Sequence, residues 1–399
     1  MPVPGSELSP CDPVRRYRTM GTKETRLRRT RTLVGLMVTA AMIFAACGGG
    51  ATPEPSEAPS EAPSAAPTEA PSPTPEPVAY KVCMVSDTGG IDDNSFNENA
   101  WKGMQDAQAK LGVEAKFLES RTAADYEKNI NQFISEGCNM IVTVGFLLGD
   151  ATKAAAEANP DTRFAIVDFA YDPAIPNVEG LVYSTAEAAM LAGYVSSAVS
   201  KSGILGTFGG INIGGPVTDF MSGLVAGANY YNAQKGAKVR VLGWDPVTQE
   251  GSFTGDFEST DNAKQLTIPM LQEGADVILP VGGPIGGGAY AALQESAAQD
   301  FGIGVDVDWT ESAPQYTDVL LTSILKRIDN SVAAAIERAA AGEAAQPVFV
   351  STLANEGVGI APFHDFESLV SAETRTELDD LAKKIISGEV VVSDYYAAQ

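Results

Sequence analysis

The run Val85-Ser86-Asp87-Thr88-Gly89-Gly90-Ile91-Asp92-Asp93-Asn94-Ser95-Phe96-Asn97 gathers carboxylates, hydroxyls, two glycines and one aromatic ring within a single short segment. An apolar, strand-like stretch precedes it and a helical pattern follows. A loop of this kind offers backbone N–H groups and short polar side chains at the carboxyl end of a strand, where open α/β sheets collect ligands. Asp87 and Asp92 can accept hydrogen bonds from hydroxyls or ring N–H groups, and Thr88 is one of the short polar side chains beside them. Ser95 or Asn94 suits the helix N-cap. Phe96 has no capping role and can stack on a flat ligand. The competing reading is a loop of turn formers with one packed Phe. Nucleotide phosphate is a poor fit, because the glycine spacing is wrong and the carboxylates would repel it.

Further candidates share this placement after strands. Asp168 ends the apolar run Phe164-Ala165-Ile166-Val167-Asp168. If that strand runs parallel to the first, its carboxylate faces the same cleft; otherwise it serves as a cap or turn. In the second half, Gly251-Ser252-Phe253-Thr254-Gly255-Asp256-Phe257 is a polar, glycine-rich loop with two rings, Phe253 and Phe257. Gly283 lies in Val281-Gly282-Gly283-Pro284-Ile285-Gly286-Gly287-Gly288, where glycine permits either close backbone approach to a ligand or a tight turn. Asp306 sits at another strand end, in Ile303-Gly304-Val305-Asp306-Val307-Asp308-Trp309. Lys326 falls in an apolar stretch, where a lone ammonium needs a carboxylate or a ligand.

Catalytic chemistry finds little support. The single histidine, His364, is far along the chain from these loops. A nucleophile elbow and a His/Cys metal cluster are both missing from the sequence. Carboxylate pairs of the glycosidase kind stay open, since Asp and Glu are abundant. The expectation is a binding protein with no catalytic residue, no cofactor and no metal. A net charge of −24 disfavours nucleic acid and anionic lipid as partners.

The elements that must position these residues alternate regularly. Apolar runs at 80–86, 114–119, 140–145 and 164–168 read as strands, with helical patterns near 97–111, 124–136, 150–158 and 184–200. A second set has strands near 203–208, 238–243, 276–281 and 302–306, and helices near 217–233, 261–273, 286–297 and 328–341. Strands this apolar are buried on both faces. The expected fold is α/β: two doubly wound domains joined by a hinge, with the ligand in the cleft between them. The stretch 318–327 fits a strand or a buried helix. The expected division places 80–201 and 328–399 in the first domain and 202–327 in the second, with a helix near 373–386. For Cys83 and Cys138, a disulfide and two buried thiols fit equally.

Residues 1–46 read as a secretory signal. Arg26, Arg28, Arg29 and Arg31 lead into an apolar segment, 33–46, that is too short to span a bilayer. Cys47 follows two alanines and is the expected lipidation site. A Pro/Ser/Glu/Ala tract completes 47–79 as a solvated tether to the membrane surface.

The segment Asp87 to Asn97, with Trp101 after it, resembles the signature of the basic membrane protein family of bacterial lipoproteins. So do Gly304-Val305-Asp306 and Leu321-Thr322-Ser323 leading to Lys326. The resemblance spans about residues 80 to 395. It implies the fold of type I periplasmic binding proteins and the role of substrate-binding component of an ABC importer, with a purine nucleoside as ligand and an ABC permease as partner. On that basis Phe96 stacks on one face of the base and Phe257 on the other, with Phe253 as the alternative in a different register. Asp87 and Asp168 bind polar edges of the base. Asp306, Gly283 and Lys326 surround the ribose. A ligand sensor, or a sugar or autoinducer binder of the same fold, is the alternative.

Overall fold

The central strands of this chain are apolar on both faces, so each must lie inside a sheet covered by helices on two sides. The computed structural model describes residues 80–397. The signal segment, Cys47 and the tether lie outside the described residues.

In chain order the first elements are β1 (Lys81–Ser86), α1 (Phe96–Leu111), β2 (Glu114–Leu118), α2 (Ala123–Ser135), β3 (Met140–Val144), α3 (Gly149–Ala158), β4 (Arg163–Val167) and β5 (Val178–Tyr183). Then come α4 (Thr185–Val199), β6 (Ile204–Gly209), α5 (Gly215–Lys235) and β7 (Arg240–Leu242). A small hairpin follows, of β8 (Trp244–Asp245) and β9 (Glu250–Gly251). The second winding continues through α6 (Thr260–Gln272), β10 (Val277–Val281), α7 (Gly286–Glu295), β11 (Phe301–Asp306), α8 (Trp309–Ser312) and β12 (Leu320–Lys326). The chain ends with α9 (Ile328–Ala340), β13 (Val348–Ser351), β14 (Val358–Ile360) and α10 (Ala372–Ser387).

Two six-stranded sheets result, in the orders β13-β5-β4-β3-β1-β2 and β14-β12-β11-β10-β6-β7. The first is parallel throughout. The second is parallel except for β14, which runs antiparallel to β12. In the first lobe, Ala100 and Met104 of α1 and Val332 and Ile336 of α9 cover one face of the sheet. Tyr126, Ile130 and Phe133 of α2 and Ala155 of α3 cover the other. In the second lobe, α4, α5 and α10 take one face and α6 and α7 the other. The contact between α4 and α5 depends on glycine: a Cβ on Gly193 would lie 2.3 Å from the Leu224 carbonyl oxygen.

The lobe boundaries differ from the expected ones. Helix α4 packs in the core of the second lobe, where Ala188 to Val195 meet Phe220 and Leu224. Its apolar residues run almost all the way round, so it needs neighbours on several sides, and α5 and α10 supply them. Of the C-terminal region only α9 and β13 return to the first lobe; β14 and α10 belong to the second. The chain therefore crosses between lobes three times, after Tyr183, after Lys326 and after Ser351. The stretch around 318–327 is strand β12. Cys83 and Cys138 form a disulfide, with Cα atoms 6.1 Å apart. Among the described residues, no helix is long and apolar enough to cross a membrane.

Candidate functional site

The carboxyl ends of both sheets face one cleft. A cavity there holds about 570 Å³ of atom-free space counted out to its mouth. The first lobe lines it with Asp87, Thr88, Asp93, Phe96, Asn97, Phe146 and Asp168. The second contributes Phe220, Phe257, Gly283, Asp306 and Lys326. Eight of the sequence candidates thus share one cavity: Asp87, Thr88, Phe96, Asp168, Phe257, Gly283, Asp306 and Lys326.

Two candidates lie elsewhere. Asp92 is exposed and is not among the lining residues. Phe253 packs edge-on against Trp244, ring centroids 6.0 Å apart, beneath Gly209. Phe257 lies against Gly210, where any Cβ would collide with its ring.

The first loop is organised by carboxylates. The Asp87 amide donates to the Val144 carbonyl at 3.0 Å, tying the loop to the end of β3. Its side chain accepts from the Thr88 amide at 2.7 Å and from the Tyr126 hydroxyl. Gly145 is obligatory behind it: its φ is +119°, and a Cβ would lie 2.4 Å from Asp87 Oδ2. Burial pushes the Asp87 carboxyl up from its usual range.

Asp93 performs the capping expected of Ser95 or Asn94. Its carboxylate accepts from the amides of Ser95 at 3.0 Å, Asn97 at 2.8 Å and Glu98 at 3.1 Å. A carboxylate at a helix N-terminus satisfies orphan N–H groups and complements the helix dipole. Burial nevertheless outweighs these bonds and pushes the Asp93 carboxyl up to about 6, with Asp306 adding to the rise. The Ser95 side chain makes no capping bond. Its hydroxyl instead donates across the cleft to Asp306 Oδ2 at 2.9 Å, with the Val305 carbonyl at 3.2 Å.

Asp168 and Asp306 end their strands with φ of +65° and +68°, a left-handed turn that Asp tolerates better than most residues. Lys326 is 1 % exposed, and its ammonium lies 2.6 Å from Asp168 Oδ2. The carboxylate partner that burial demands is therefore Asp168. The same ammonium is 4.9 Å from the ring centroids of both Phe96 and Tyr183. Burial raises the carboxyls of Asp168 and Asp306, and the Lys326 charge opposes that rise in both.

The cavity residues without a site assignment in the sequence include Asp93, Asn97, Phe146 and Phe220. Asp93 and Asn97 lie within the motif but resemble their neighbours in type. Phe146 and Phe220 resemble ordinary core residues. Asn97 is 1 % exposed. Its Nδ2 donates to the Thr88 carbonyl at 3.2 Å, while its Oδ1 is buried without a protein partner. The available signal was an internal repeat. Val144-Gly145-Phe146-Leu147-Leu148-Gly149 and Val281-Gly282-Gly283-Pro284-Ile285-Gly286 each run from a strand through a 3-10 turn into a helix, which places Phe146 beside Gly283 in role.

His364 Nε2 contacts Asp308 Oδ2 at 2.7 Å, outside the cavity lining. Among the described residues, no group of three or more His, Cys, Asp or Glu side chains is arranged to hold a metal ion. The cavity offers four carboxylates, one ammonium and several aromatic faces. Hydrogen-bond acceptors dominate it, and its field opposes an anionic ligand. Such a lining suits a flat, neutral molecule rich in O–H and N–H donors.

Comparison with known proteins agrees with this architecture. The Bmp family, described as ABC transporter substrate-binding protein PnrA-like, matches residues 80–395. Basic membrane protein A of Borreliella burgdorferi is 30% identical, over 78% of this chain and 87% of its own length. The ABC transporter nucleoside-binding protein BmpA of Lactococcus lactis subsp. cremoris is 28% identical, over 78% of this chain and 88% of its own. Among solved structures, an ABC transporter solute-binding protein from Aeropyrum pernix K1 superposes with a TM-score of 0.70 at 26% identity, covering 78% of this chain and 92% of that one.

Proposed function

Because the chain belongs to the Bmp family of PnrA-like ABC transporter substrate-binding proteins, we propose that it captures a neutral purine nucleoside between its lobes and delivers it to the permease of an ABC importer. The observation that carries this reading is the cavity itself: rings from both lobes, Phe96 and Phe257 among them, beside four carboxylates. The name of the Lactococcus lactis relative points the same way. Phe96 and Phe257 take the two faces of the base, each stack adding about 0.5–1.5 kcal/mol beyond the area it buries. Asp87, Thr88 and Asp168 accept from, or donate to, the polar edges of the base, and the unpartnered Asn97 Oδ1 takes an N–H. Asp306, Gly283 and Lys326 receive the ribose.

The role is binding without turnover. Ligand free energy shifts an open–closed equilibrium toward the closed form, which the permease then recognises. A 5′-phosphate is rejected, because Lys326 is already paired with Asp168 and the remaining carboxylates repel it. Cys47 anchors the protein through lipid on the outer side of the membrane. Replacing Cys47 by Ala would then move the protein from the membrane to the soluble fraction; continued attachment would remove the anchor.

Calorimetry on the chain, unfolded and refolded to strip carried-over ligand, tests the ligand class. Adenosine, guanosine and inosine are expected to bind, and ribose, free bases and nucleoside monophosphates to bind at least about tenfold more weakly. Binding of sugars in place of nucleosides would transfer the function to a sugar or autoinducer binder of the same fold.

A further inference from the structure

Ser95 stands at the N-cap of α1, where serine ordinarily accepts a hydrogen bond from the second or third helical amide. Here it does not. Asp93, two residues earlier, accepts from the amides of Asn97 and Glu98 instead. The Ser95 backbone is also outside the usual extended N-cap conformation, at φ −152° and ψ −105°. Its side chain is wholly buried and turned toward the other lobe, 2.9 Å from Asp306 Oδ2 and 3.2 Å from the Val305 carbonyl. The backbone of Gly283 lies close by. A Cβ there would be 3.8 Å from both Ser95 Cβ and Asp93 Oδ2, so the first loop is seated directly on the second lobe.

We propose that the Ser95 hydroxyl is a closure latch that positions Asp306: it bonds the second lobe in the closed form and is released to water when the lobes part. Both states satisfy the hydroxyl, as a two-state element requires. In the closed state the bond carries a charge-assisted component, because the acceptor is a carboxylate. The bond also fixes one oxygen of Asp306, a residue held at a left-handed strand end, so that the other oxygen is aimed at the ligand. Ser95 is thus a positioning residue acting through Asp306. The groups around Asp306 are Asp93 on the facing loop, Asp168 across the cleft and Lys326 on the adjacent strand. Lys326 favours the charged form of Asp306 and the two aspartates disfavour it, and an uncharged hydroxyl is a suitable donor between the lobes.

The biological meaning of the latch rests on the proposed capture function, but its test needs no ligand. Spin labels are placed at Lys128→Cys on the first lobe and Glu273→Cys on the second, both exposed, in the full chain with its disulfide intact. Pulsed dipolar spectroscopy then reads the interlobe distance distribution without ligand. Ser95→Ala is expected to lower the closed-to-open ratio about tenfold, the equivalent of one hydrogen bond to a charged group. Its thermal midpoint should stay close to wild type, because no capping bond is lost. Asp306→Asn keeps an acceptor and tolerates positive φ; it is expected to shift the distribution less, in the same direction, and to add nothing in the Ser95→Ala background. The latch is overturned if Ser95→Ala leaves the distances unchanged, if it lowers stability alone, or if the ligand-free wild type has no closed population. Should Ser95→Ala fail to fold, Asp306→Asn decides, and an unshifted distribution there overturns the proposal. Failure of the nucleoside titration with a positive distance result would leave the latch standing and change only the ligand.

Discussion

The two lobes share one winding, and the way they differ locates the chemistry. In each, the third strand runs through glycine and a 3-10 turn into a helix, at Val144 to Gly149 and at Val281 to Gly286. In each, an aspartate with positive φ stands at or just past the end of the fourth strand, Asp168 and Asp306. The fifth strands end at Tyr183 and Lys326, which meet across the cleft. The common plan therefore yields a symmetric cradle of two carboxylates. The departures from it make the site selective. After β1 the first lobe has a long acidic loop, whereas the corresponding Gly209-Gly210-Ile211-Asn212-Ile213-Gly214 after β6 has no carboxylate. The second lobe brings Lys326, the only cation of the cavity lining among the described residues. The first lobe is also closed by a disulfide linking β1 to the approach to β3.

The sharpest way to break this asymmetry is Lys326→Met. It leaves Asp168 buried without its cation, and removing one partner of a buried pair costs about 3–5 kcal/mol. Denaturant unfolding should show that loss, and Asp168→Asn in the same chain should restore part of it. The Cys83→Ser/Cys138→Ser pair is next. Releasing a loop of sequence separation 55 should cost about 4 kcal/mol at most. Hydrogen exchange should then rise across the first lobe while protection in β6, β10 and β11 persists. Equal loosening of both lobes would contradict a disulfide effect confined to the first.

Acid titration sharpens the comparison further. Burial raises the folded value for Asp93 from 3.8 to about 6, so the native state holds this proton more tightly than the unfolded chain. Stability from this group is full below about pH 4, falls as pH rises through about 6, and is flat above. The change is about 3 kcal/mol. Asp87, Asp168 and Asp306 shift in the same direction. The difference between wild type and Asp93→Asn across pH 4 to 6.5 isolates Asp93; a difference that does not vary with pH would contradict the assignment. The smallest effect belongs to Asn97→Ala. Its Oδ1 bonds nothing in the protein, so stability should fall by about 1 kcal/mol or less, while nucleoside affinity drops about tenfold if that oxygen takes an N–H of the base.

Much of this plan is legible in the sequence, for physical reasons. Strands such as Met140–Val144 and Val277–Val281 are apolar on both faces and bounded by turns, so their type and limits are visible locally. Strand β5 is not, because Glu179 interrupts its apolar pattern. That carboxylate is wholly buried and paired with Arg338 and Arg163, distant in sequence. Strands β13 and β14 are short edge pieces whose membership is decided by tertiary packing. Helix α4 follows the first set in sequence but is apolar nearly all round, and only the neighbouring lobe can bury it. Within the site, strand-end residues such as Asp168 and Asp306 are marked by position alone. The choice between Asp92 and Asp93 is not, because adjacent residues of one type point to solvent and to the helix end, and only the fold of the loop separates them.

If each lobe supplies one face of the binding slot, neither ring is dispensable. Inosine titrated by calorimetry into the stripped wild type, Phe96→Ala and Phe257→Ala is the most direct test. Capture between the lobes predicts tight binding to wild type and a loss of at least about tenfold for each variant. Wild-type affinity in either variant would show that one lobe holds the base alone and would contradict the two-sided site.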